Sequence, residues 1–212
     1  MDLNIFKTTS GWFFCKRGIL IFTYMDYTAS AHLKGKDYLA NSLPVGEYED
    51  CIFEDCTFLD ADVSRVAFVD CEFINCDLSN ANINLAAFRE VQFSGCKMLG
   101  LRFDNANDFL FSVGFSRCRL DSSVFYMRSL KSTLFDQCSL KEVDFTETDL
   151  SGASFNSCDL FGATFDRTNL EKADLRGAEN YIIDPDNNRI RSARFSISGV
   201  SGLLSKYSIH IE

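Results

Sequence analysis

The stretch CSLKEVDFTETDLSGASFNSCDLFGATF, residues 138–165, carries a large apolar residue at every fifth position. An α-helix turns once in about 3.6 residues and a β-strand alternates sides every two, so neither element keeps residues five apart on one face. The period therefore requires a chain that bends after each five-residue step. The residues that define it are Leu140, Phe145, Leu150, Phe155, Leu160 and Phe165.

The same period runs through most of the chain. It starts at Phe53 and continues in fives to Phe103; after one step of seven it resumes at Leu110 and reaches Leu175, which makes 25 apolar sites. The residue two places before each site is nearly always small. Asp108 and Arg128 are charged exceptions in this small-residue column, and we expect them to pair with each other or to reach water, because neither charge is stable when buried alone.

Four such steps close a square coil in which residue n lies beneath residue n+20. Each side of the square should then have its own chemistry, and one side is indeed phenylalanine-rich while the next is leucine-rich. Repeats of this kind bury their apolar residues only by stacking. The sequence therefore predicts a solenoid. The two columns are Phe53, Phe73, Phe93, Phe115, Phe135 and Phe155, and Phe58, Leu78, Met98, Leu120, Leu140 and Leu160.

The runs ADLRG, TDLSG, CDLFG and TNLEK resemble the A(D/N)LXX signature of the pentapeptide-repeat proteins. The resemblance covers roughly residues 46–178 and implies an all-β fold, a right-handed quadrilateral β-helix with a short C-terminal helix and tail. Within that family, the overall plan resembles the Qnr-type quinolone-resistance proteins. That likeness implies a dimeric mimic of duplex DNA that binds a type II topoisomerase such as DNA gyrase or topoisomerase IV.

Three segments are predicted. Residues 1–45 form an N-terminal extension and cap, residues 46–180 form the solenoid with a two-residue insertion near 104–109, and residues 181–212 form a C-terminal cap, helix and tail. Residues 1–24 lack the period, whereas Met25 opens a more orderly segment. We expect natural translation to start at Met25, which the intact mass of the protein from its native host would test.

The C-terminal segment has a short apolar face at helical spacing, followed by an alternating pair in the tail. This face either caps the last coil or joins two chains in a homodimer, and the two roles are compatible. In the Qnr-type proteins the corresponding helix and tail form the dimer interface. The residues of the face are Val200, Leu203, Leu204, Tyr207, Ile209 and Ile211.

Composition predicts a single-domain, soluble, cytoplasmic protein without a membrane segment, since the mean hydropathy is −0.05 and the longest apolar run near the N-terminus, residues 19–22, is too short for a signal peptide. Eight of the nine cysteines recur at coil spacing, so we expect reduced, buried thiols, although stacking distance alone permits disulfides. No metal site is expected, because the C-x4-C spacing without histidine is not that of zinc.

Nothing in the sequence indicates catalysis or a bound cofactor. The only histidines, His32 and His210, lie outside the repeats, so a nucleophile–base pair would have to form across the length of the solenoid. Neither a phosphate-binding G-x-x-x-x-G-K-[ST] loop nor a G-x-G-x-x-G motif is present. We therefore expect no enzyme activity.

Negative charge is concentrated in the repeats. Residues 47–180 contain 24 acidic and 12 basic residues, about one net negative charge per ~2.6 Å of predicted solenoid, against one per about 1.7 Å in B-DNA. Such a rod should repel nucleic acid and attract a protein with a basic groove. The acidic end, in which Arg65 is the only base, comprises Glu47, Glu49, Asp50, Glu54, Asp55, Asp60, Asp62, Asp70, Glu72 and Asp77.

Two hypotheses for function follow. The first is a DNA mimic that binds a type II topoisomerase; the second is a general protein-interaction scaffold with no topoisomerase role. Many Qnr-type proteins have long projecting loops that contact the topoisomerase, and this chain has only the two-residue insertion, so those contacts cannot be carried over. The gyrase supercoiling reaction, with and without a fluoroquinolone, distinguishes the two hypotheses.

A partner-binding patch is predicted at the insertion, where outward positions that should be polar are apolar or aromatic. A cluster of this kind beside a break in the repeat is typical of an interaction surface. The alternative is that residues 1–45 fold back and cover it. The residues of this predicted patch are Phe109, Phe111, Val124, Tyr126 and Met127.

Overall fold

A computed structural model of the protein describes residues 4–8, 11–16, 19–23, 26–207 and 209–210. From residue 26 onward the chain winds into a four-sided β-solenoid of about eight turns whose strands are all parallel, which confirms the predicted quadrilateral β-helix. A separate antiparallel sheet precedes it. Its strands are β1 (Asn4–Thr8), β2 (Gly11–Lys16) and β3 (Ile19–Thr23), in the order β1-β2-β3.

Two sides of the solenoid are parallel sheets. Side 1 starts with the sheet β10-β8-β6-β4, and side 2 is the nine-stranded sheet β18-β16-β14-β13-β12-β11-β9-β7-β5. The strands are β4 (Asp26–Ala29), β5 (His32–Lys34), β6 (Gly46–Glu49), β7 (Ile52–Glu54), β8 (Ala67–Val69), β9 (Glu72–Ile74), β10 (Ala87–Arg89), β11 (Val91–Ser94), β12 (Val113–Ser116), β13 (Leu134–Asp136), β14 (Ser154–Asn156), β15 (Cys158–Asp159), β16 (Asp174–Leu175), β17 (Ala178–Glu179) and β18 (Arg194–Phe195).

Sides 3 and 4 are held mainly by single-residue parallel bridges. Side 3 runs from the bridge Asp37–Thr57 to the two-stranded sheet β15-β17, and side 4 runs from Asp62–Asn82 to Asp144–Thr164. Side 1 continues past its sheet as the bridges Ser129–Asp149, Asp149–Asn169 and Asn169–Arg189. Every side therefore keeps the same ladder, in which a residue pairs with the one about twenty positions later.

The large apolar residues meet in the centre of the coil. On side 2 the rings of Phe53 and Phe73 stack with centroids 4.8 Å apart, and those of Phe135 and Phe155 with centroids 5.0 Å apart at an interplanar angle of 2°. Rings on neighbouring sides pack edge to face, as for Phe145 against Phe155. The core is thus a continuous column of aromatic contacts, each favourable beyond the area that it buries.

The small-residue column binds each coil to the one before it. The thiol of Cys76 donates to the carbonyl oxygen of Phe53 at 3.2 Å, and the hydroxyls of Thr148 and Thr168 make the equivalent bonds at 2.8 Å. All eight cysteines whose side chains are described are free and buried, which agrees with the predicted reduced thiols. Burial raises the pKa of the Cys71 thiol to about 12, so it stays protonated and can donate.

The insertion is placed differently from the prediction. The step of seven was expected to bring Leu110 into the core, but Leu110 lies in a turn with φ of 56° and 65% of it is exposed. Phe111 points inward instead: it is half-buried and packs edge to face against Phe88 and Phe103. An extra turn costs less when its larger, aromatic residue is the one that fills the column between existing rings.

The ladders also extend beyond the predicted limits of 46–180. Residues 26–45 already form a full coil, because β4 pairs with β6 and β5 with β7. Leu33, Tyr38 and Leu43 continue the five-residue period backwards, with Tyr38 and Leu43 buried. At the other end, β18 adds a last rung to side 2 by pairing with β16.

The chain ends in a short helix α1 (Ser201–Leu204), which continues as a 3-10 turn (Ser205–Tyr207); a second 3-10 turn (Phe103–Asn105) lies just before the insertion. Lys206 fastens the end of α1 to the preceding loop by ion pairs with Asp184 and Asp186. In the described part of the chain, no helix is both long enough and apolar enough to cross a membrane.

The stacked rings predict a steep dependence of stability on single core positions. Phe135→Ala should lower the free energy of unfolding by about 3–5 kcal/mol, because its ring is fully buried and the two flanking rings cannot collapse into the cavity. Its neighbour Leu134 points outward from the same strand, and Leu134→Ala should cost less than about 1 kcal/mol. Urea unfolding of both variants measures the difference, and equal losses would contradict the stacked core.

Candidate protein-interaction surfaces

A buried arginine organises the insertion. Arg128 occupies a position that is small in most other coils, yet only 6% of its side chain is exposed. Its guanidinium donates to the carbonyl oxygens of Asp104 and Ala106, the latter at 2.8 Å, and pairs with the carboxylate of Asp108. The guanidinium carbon also lies 5.7 Å from the centre of the Phe111 ring. Arg128 therefore joins the residues just before the insertion to Asp108 and Phe111 within it.

This network confirms that Asp108 and Arg128 pair but corrects where they lie. Asp108 was expected in the inward small-residue column, whereas 86% of its side chain is exposed and Ala106 is the buried residue of that coil. The regular ladder holds as far as Asn107, whose N–H donates to the carbonyl oxygen of Ala86. The extra residues follow it, so Asp108 moves outward with them while Arg128 remains inside.

The residues of the predicted patch divide between core and surface. Phe109, Tyr126 and Met127 are exposed, whereas Val124 and Phe111 are half-buried, and Phe111 packs against the core. Sequence reasoning missed Leu110 and Leu85, which are also exposed. The signal for Leu110 was its place beside the break, but the aromatic residue after it competed for the same core position.

The acidic end divides into paired and unpaired carboxylates. Glu54 accepts hydrogen bonds from Lys34 and His32, which hold its pKa below the usual value, and Asp77 pairs with Lys97. Glu47 is buried, and Glu49 accepts a hydrogen bond from Tyr27. Among the residues that the structure describes, five acids of this end have no ion-pair partner: Asp50, Asp60, Asp62, Asp70 and Glu72.

Ion pairing is denser in the later coils. Lys141 pairs with Asp159, Arg167 with both Glu147 and Asp166, and Arg176 with Asp174. Most of these pairs join neighbouring coils or neighbouring residues on one face, so they neutralise the surface locally. The unbalanced negative charge is therefore concentrated in the first coils, although individual acids lie on all four sides.

The apolar residues of the C-terminal face divide between contact with the core and exposure to solvent. Leu203 packs against the core, while Val200, Tyr207 and Ile209 are exposed, and Leu204 is half-buried. Ile211 lies outside the described residues. Beside this face is a cleft of about 560 Å³ lined by Phe161, Tyr181, Ile182 and the turn of α1. The helix thus caps the last coil with one residue and presents several apolar side chains outward.

No group of three or more histidine, cysteine or acidic side chains in the described part of the chain is arranged to hold a metal ion. His32 hydrogen-bonds Glu54 at the start of the solenoid, whereas His210 lies in the C-terminal tail. The structure therefore brings the two histidines to opposite ends of the chain.

Comparison with known proteins identifies the class of fold. A sequence model for pentapeptide repeats matches eight copies, in residues 71–107 and 138–177. The chain belongs to the pentapeptide-repeat family. No curated protein sequence matches it significantly.

Among solved structures, a trypsin-treated form of QnrB1, a plasmid-mediated fluoroquinolone resistance protein, superposes with a TM-score of 0.54 at 20% identity, covering 88% of this chain and 92% of that one. HetL, a pentapeptide repeat protein involved in heterocyst differentiation regulation from the cyanobacterium Nostoc, gives a TM-score of 0.41 at 17% identity, covering 79% and 86%. At 20% identity, the similarity to QnrB1 is one of fold.

The Arg128 network predicts an asymmetric pair of variants. Arg128→Ala should lower the free energy of unfolding by about 3 kcal/mol, because it leaves the carbonyls of Asp104 and Ala106 without their donor and opens a cavity. Asp108→Asn should cost less than about 1 kcal/mol, since an exposed partner contributes little and the amide oxygen still accepts. Chemical denaturation measures both changes; a larger loss for Asp108→Asn would contradict the network.

Proposed function

We propose that this protein is a non-catalytic, cytoplasmic binding protein whose acidic rod occupies the DNA-binding groove of a type II topoisomerase such as DNA gyrase or topoisomerase IV. The observation that carries the proposal is the set of five acids in the first coils without ion-pair partners among the described residues. A basic groove that normally holds phosphates would supply the missing cations.

The length and the net charge of the rod support the same target. About eight coils at ~4.8 Å give a rod of roughly 38 Å, long enough to follow a groove that receives a short length of duplex DNA. The net charge of −9 for the whole chain disfavours direct binding of nucleic acid. QnrB1, with which the chain shares its fold, is a fluoroquinolone resistance protein, and fluoroquinolone protection is therefore the phenotype to test first.

The alternative is a scaffold that binds some other protein. It is favoured by the small size of the insertion, which leaves few projecting contacts for a topoisomerase. The acidic rod is common to both proposals, so the enzyme assay and not the charge decides between them.

Gyrase supercoiling at rising protein concentration tests the proposal. We expect wild-type protein either to inhibit supercoiling or to protect it from a fluoroquinolone, and the effect to weaken as salt rises. The triple variant Asp50→Asn, Asp70→Asn, Glu72→Gln should lose most of the effect. The matched triple variant Asp136→Asn, Glu142→Gln, Glu179→Gln removes the same charge from later coils and should keep it.

The two charge variants also distinguish binding by the acids of the first coils from a response to net charge. Equal loss in both would indicate a response to net charge alone, and no effect of wild-type protein up to tens of micromolar would favour the scaffold. Melting temperatures of all three proteins serve as the control for folding.

We also propose that the C-terminal face joins two chains, with Val200, Tyr207 and Ile209 packing against the cleft of the second copy. Apolar side chains that remain exposed beside an apolar cleft are suited to a two-fold contact, in which each chain supplies both surfaces.

Two variants separate dimer contact from capping. Tyr207→Asp should convert a dimer to a folded monomer in light scattering, because the new charge would be buried at the contact. Leu203→Asp should instead lower the melting temperature, since Leu203 packs on the core. Wild-type protein that is monomeric at high concentration would refute the dimer.

A further inference from the structure

Near the insertion, apolar side chains occupy corners of the solenoid that elsewhere carry polar ones. Most corners use a residue with positive φ, and 23 residues other than glycine adopt it in the described part of the chain. Twenty of the 23 are polar or charged, as expected for exposed turns. The three that are apolar are Leu85, Leu110 and Met127, and more than half of each is exposed.

The positions of these three side chains are energetically unfavourable for two reasons. A bulky side chain is disfavoured in the left-handed region of the backbone, where aspartate and asparagine are tolerated best. Each also exposes apolar surface to water. The left-handed conformation is common to all 23 residues, so what distinguishes these three is their exposed apolar surface, and such surface grouped beside one insertion is typical of an interaction site.

All three lie within two coils of the insertion. The N–H of Leu85 donates to the carbonyl oxygen of Asn105, which is next in the same corner, and Met127 follows one coil later. The ring of Phe109 is 64% exposed and has the guanidinium of Arg89 5.5 Å from its centre. We call the exposed set Leu85, Phe109, Leu110, Tyr126 and Met127 the insertion patch.

The insertion patch is held in place from below. Arg128 binds Asp108, Phe111 is anchored among core rings, and the N–H of Phe109 donates to the side-chain oxygen of Asn107 at 2.8 Å. A surface that is already ordered loses little conformational entropy when a partner binds. The patch therefore has the rigidity that a docking surface needs.

The charges beside the insertion patch define its occupant. Asp50, Asp70 and Glu90 stack on successive coils at the corner between sides 1 and 2. The N–H of Asp50 donates to the carbonyl oxygen of Val69, and the N–H of Asp70 donates to the carbonyl oxygen of Arg89. None of the three acids has an ion-pair partner among the described residues. Glu90 follows Arg89, which touches Phe109, so this acidic corner leads directly to the insertion patch.

We propose that the insertion patch docks a basic amphipathic helix of a partner protein. Its apolar face covers Phe109, Leu110 and Met127, and its lysine or arginine side chains lie over the acidic corner. A helical turn of about 5.4 Å stays nearly in step with coils at ~4.8 Å over two or three turns, so one helix can address several coils. Nucleic acids and anionic membranes are repelled by the same acids.

A designed peptide tests this without assuming which protein is the partner. The probe is a fluorescein-labelled helix of about 18 residues, with leucine on one face and lysine on the other, titrated with the full chain by fluorescence polarisation. We expect saturable binding that weakens as salt rises. The same peptide with glutamate in place of lysine should not bind.

The decisive variant is Leu110→Asn with Met127→Asn. Asparagine suits the left-handed corner, so the melting temperature should stay the same or rise, while peptide affinity falls by at least about tenfold. Leu134→Ser removes a leucine on side 2 that is 48% exposed and should leave affinity unchanged. Asp70→Asn with Glu90→Gln should weaken binding severalfold and flatten its salt dependence.

Three results would overturn the proposal. The first is no saturable binding of the lysine peptide to wild-type protein, and the second is wild-type affinity in the Leu110→Asn, Met127→Asn variant. The third is an equal loss in Leu134→Ser, which would show general adhesion to exposed leucine. A fall in melting temperature for the asparagine variant would assign the two residues a structural role instead.

Discussion

The stacking of each coil directly on the one before it is the constraint on which the whole molecule depends. Because a rung is only ~4.8 Å high, a side chain in the core must be matched by one of similar thickness above and below. Flat rings meet this condition, as Phe53 on Phe73 at 4.8 Å shows. The same height places each inward thiol or hydroxyl of the small-residue column near carbonyl oxygens of the preceding coil, and most of these groups donate a hydrogen bond there.

The sequence was sufficient to predict the fold because the five-residue period is set by this stacking and has few alternatives. It was less informative where two residues competed for one position. At the insertion, Leu110 and Phe111 are both apolar, and only the neighbouring rings decide that Phe111 is inside. Likewise, a spacing rule placed Asp108 inward, although Ala106 keeps the regular ladder and Arg128 supplies the buried charge.

The net charge of the surface depends on ion pairs between coils, and the sequence shows the charged residues without showing which of them pair. Glu54 and Asp77 were counted with the acidic end, yet both are paired with bases on adjacent coils. The ladder that aligns rings also aligns like charges, so Asp50 and Asp70 stand one above the other. Stacked like charges are destabilising, and their retention in the first coils is the reason to seek a basic partner there.

The column of buried cysteine thiols can report where along its length the solenoid opens. Six consecutive coils each carry one buried cysteine at the same place on side 3: Cys56, Cys76, Cys96, Cys118, Cys138 and Cys158. A thiol reagent can reach each sulfur only when its own coil separates from its neighbours. The order in which the six become alkylated would therefore record whether the rod frays from one end, from both, or from the break in the middle, one turn at a time.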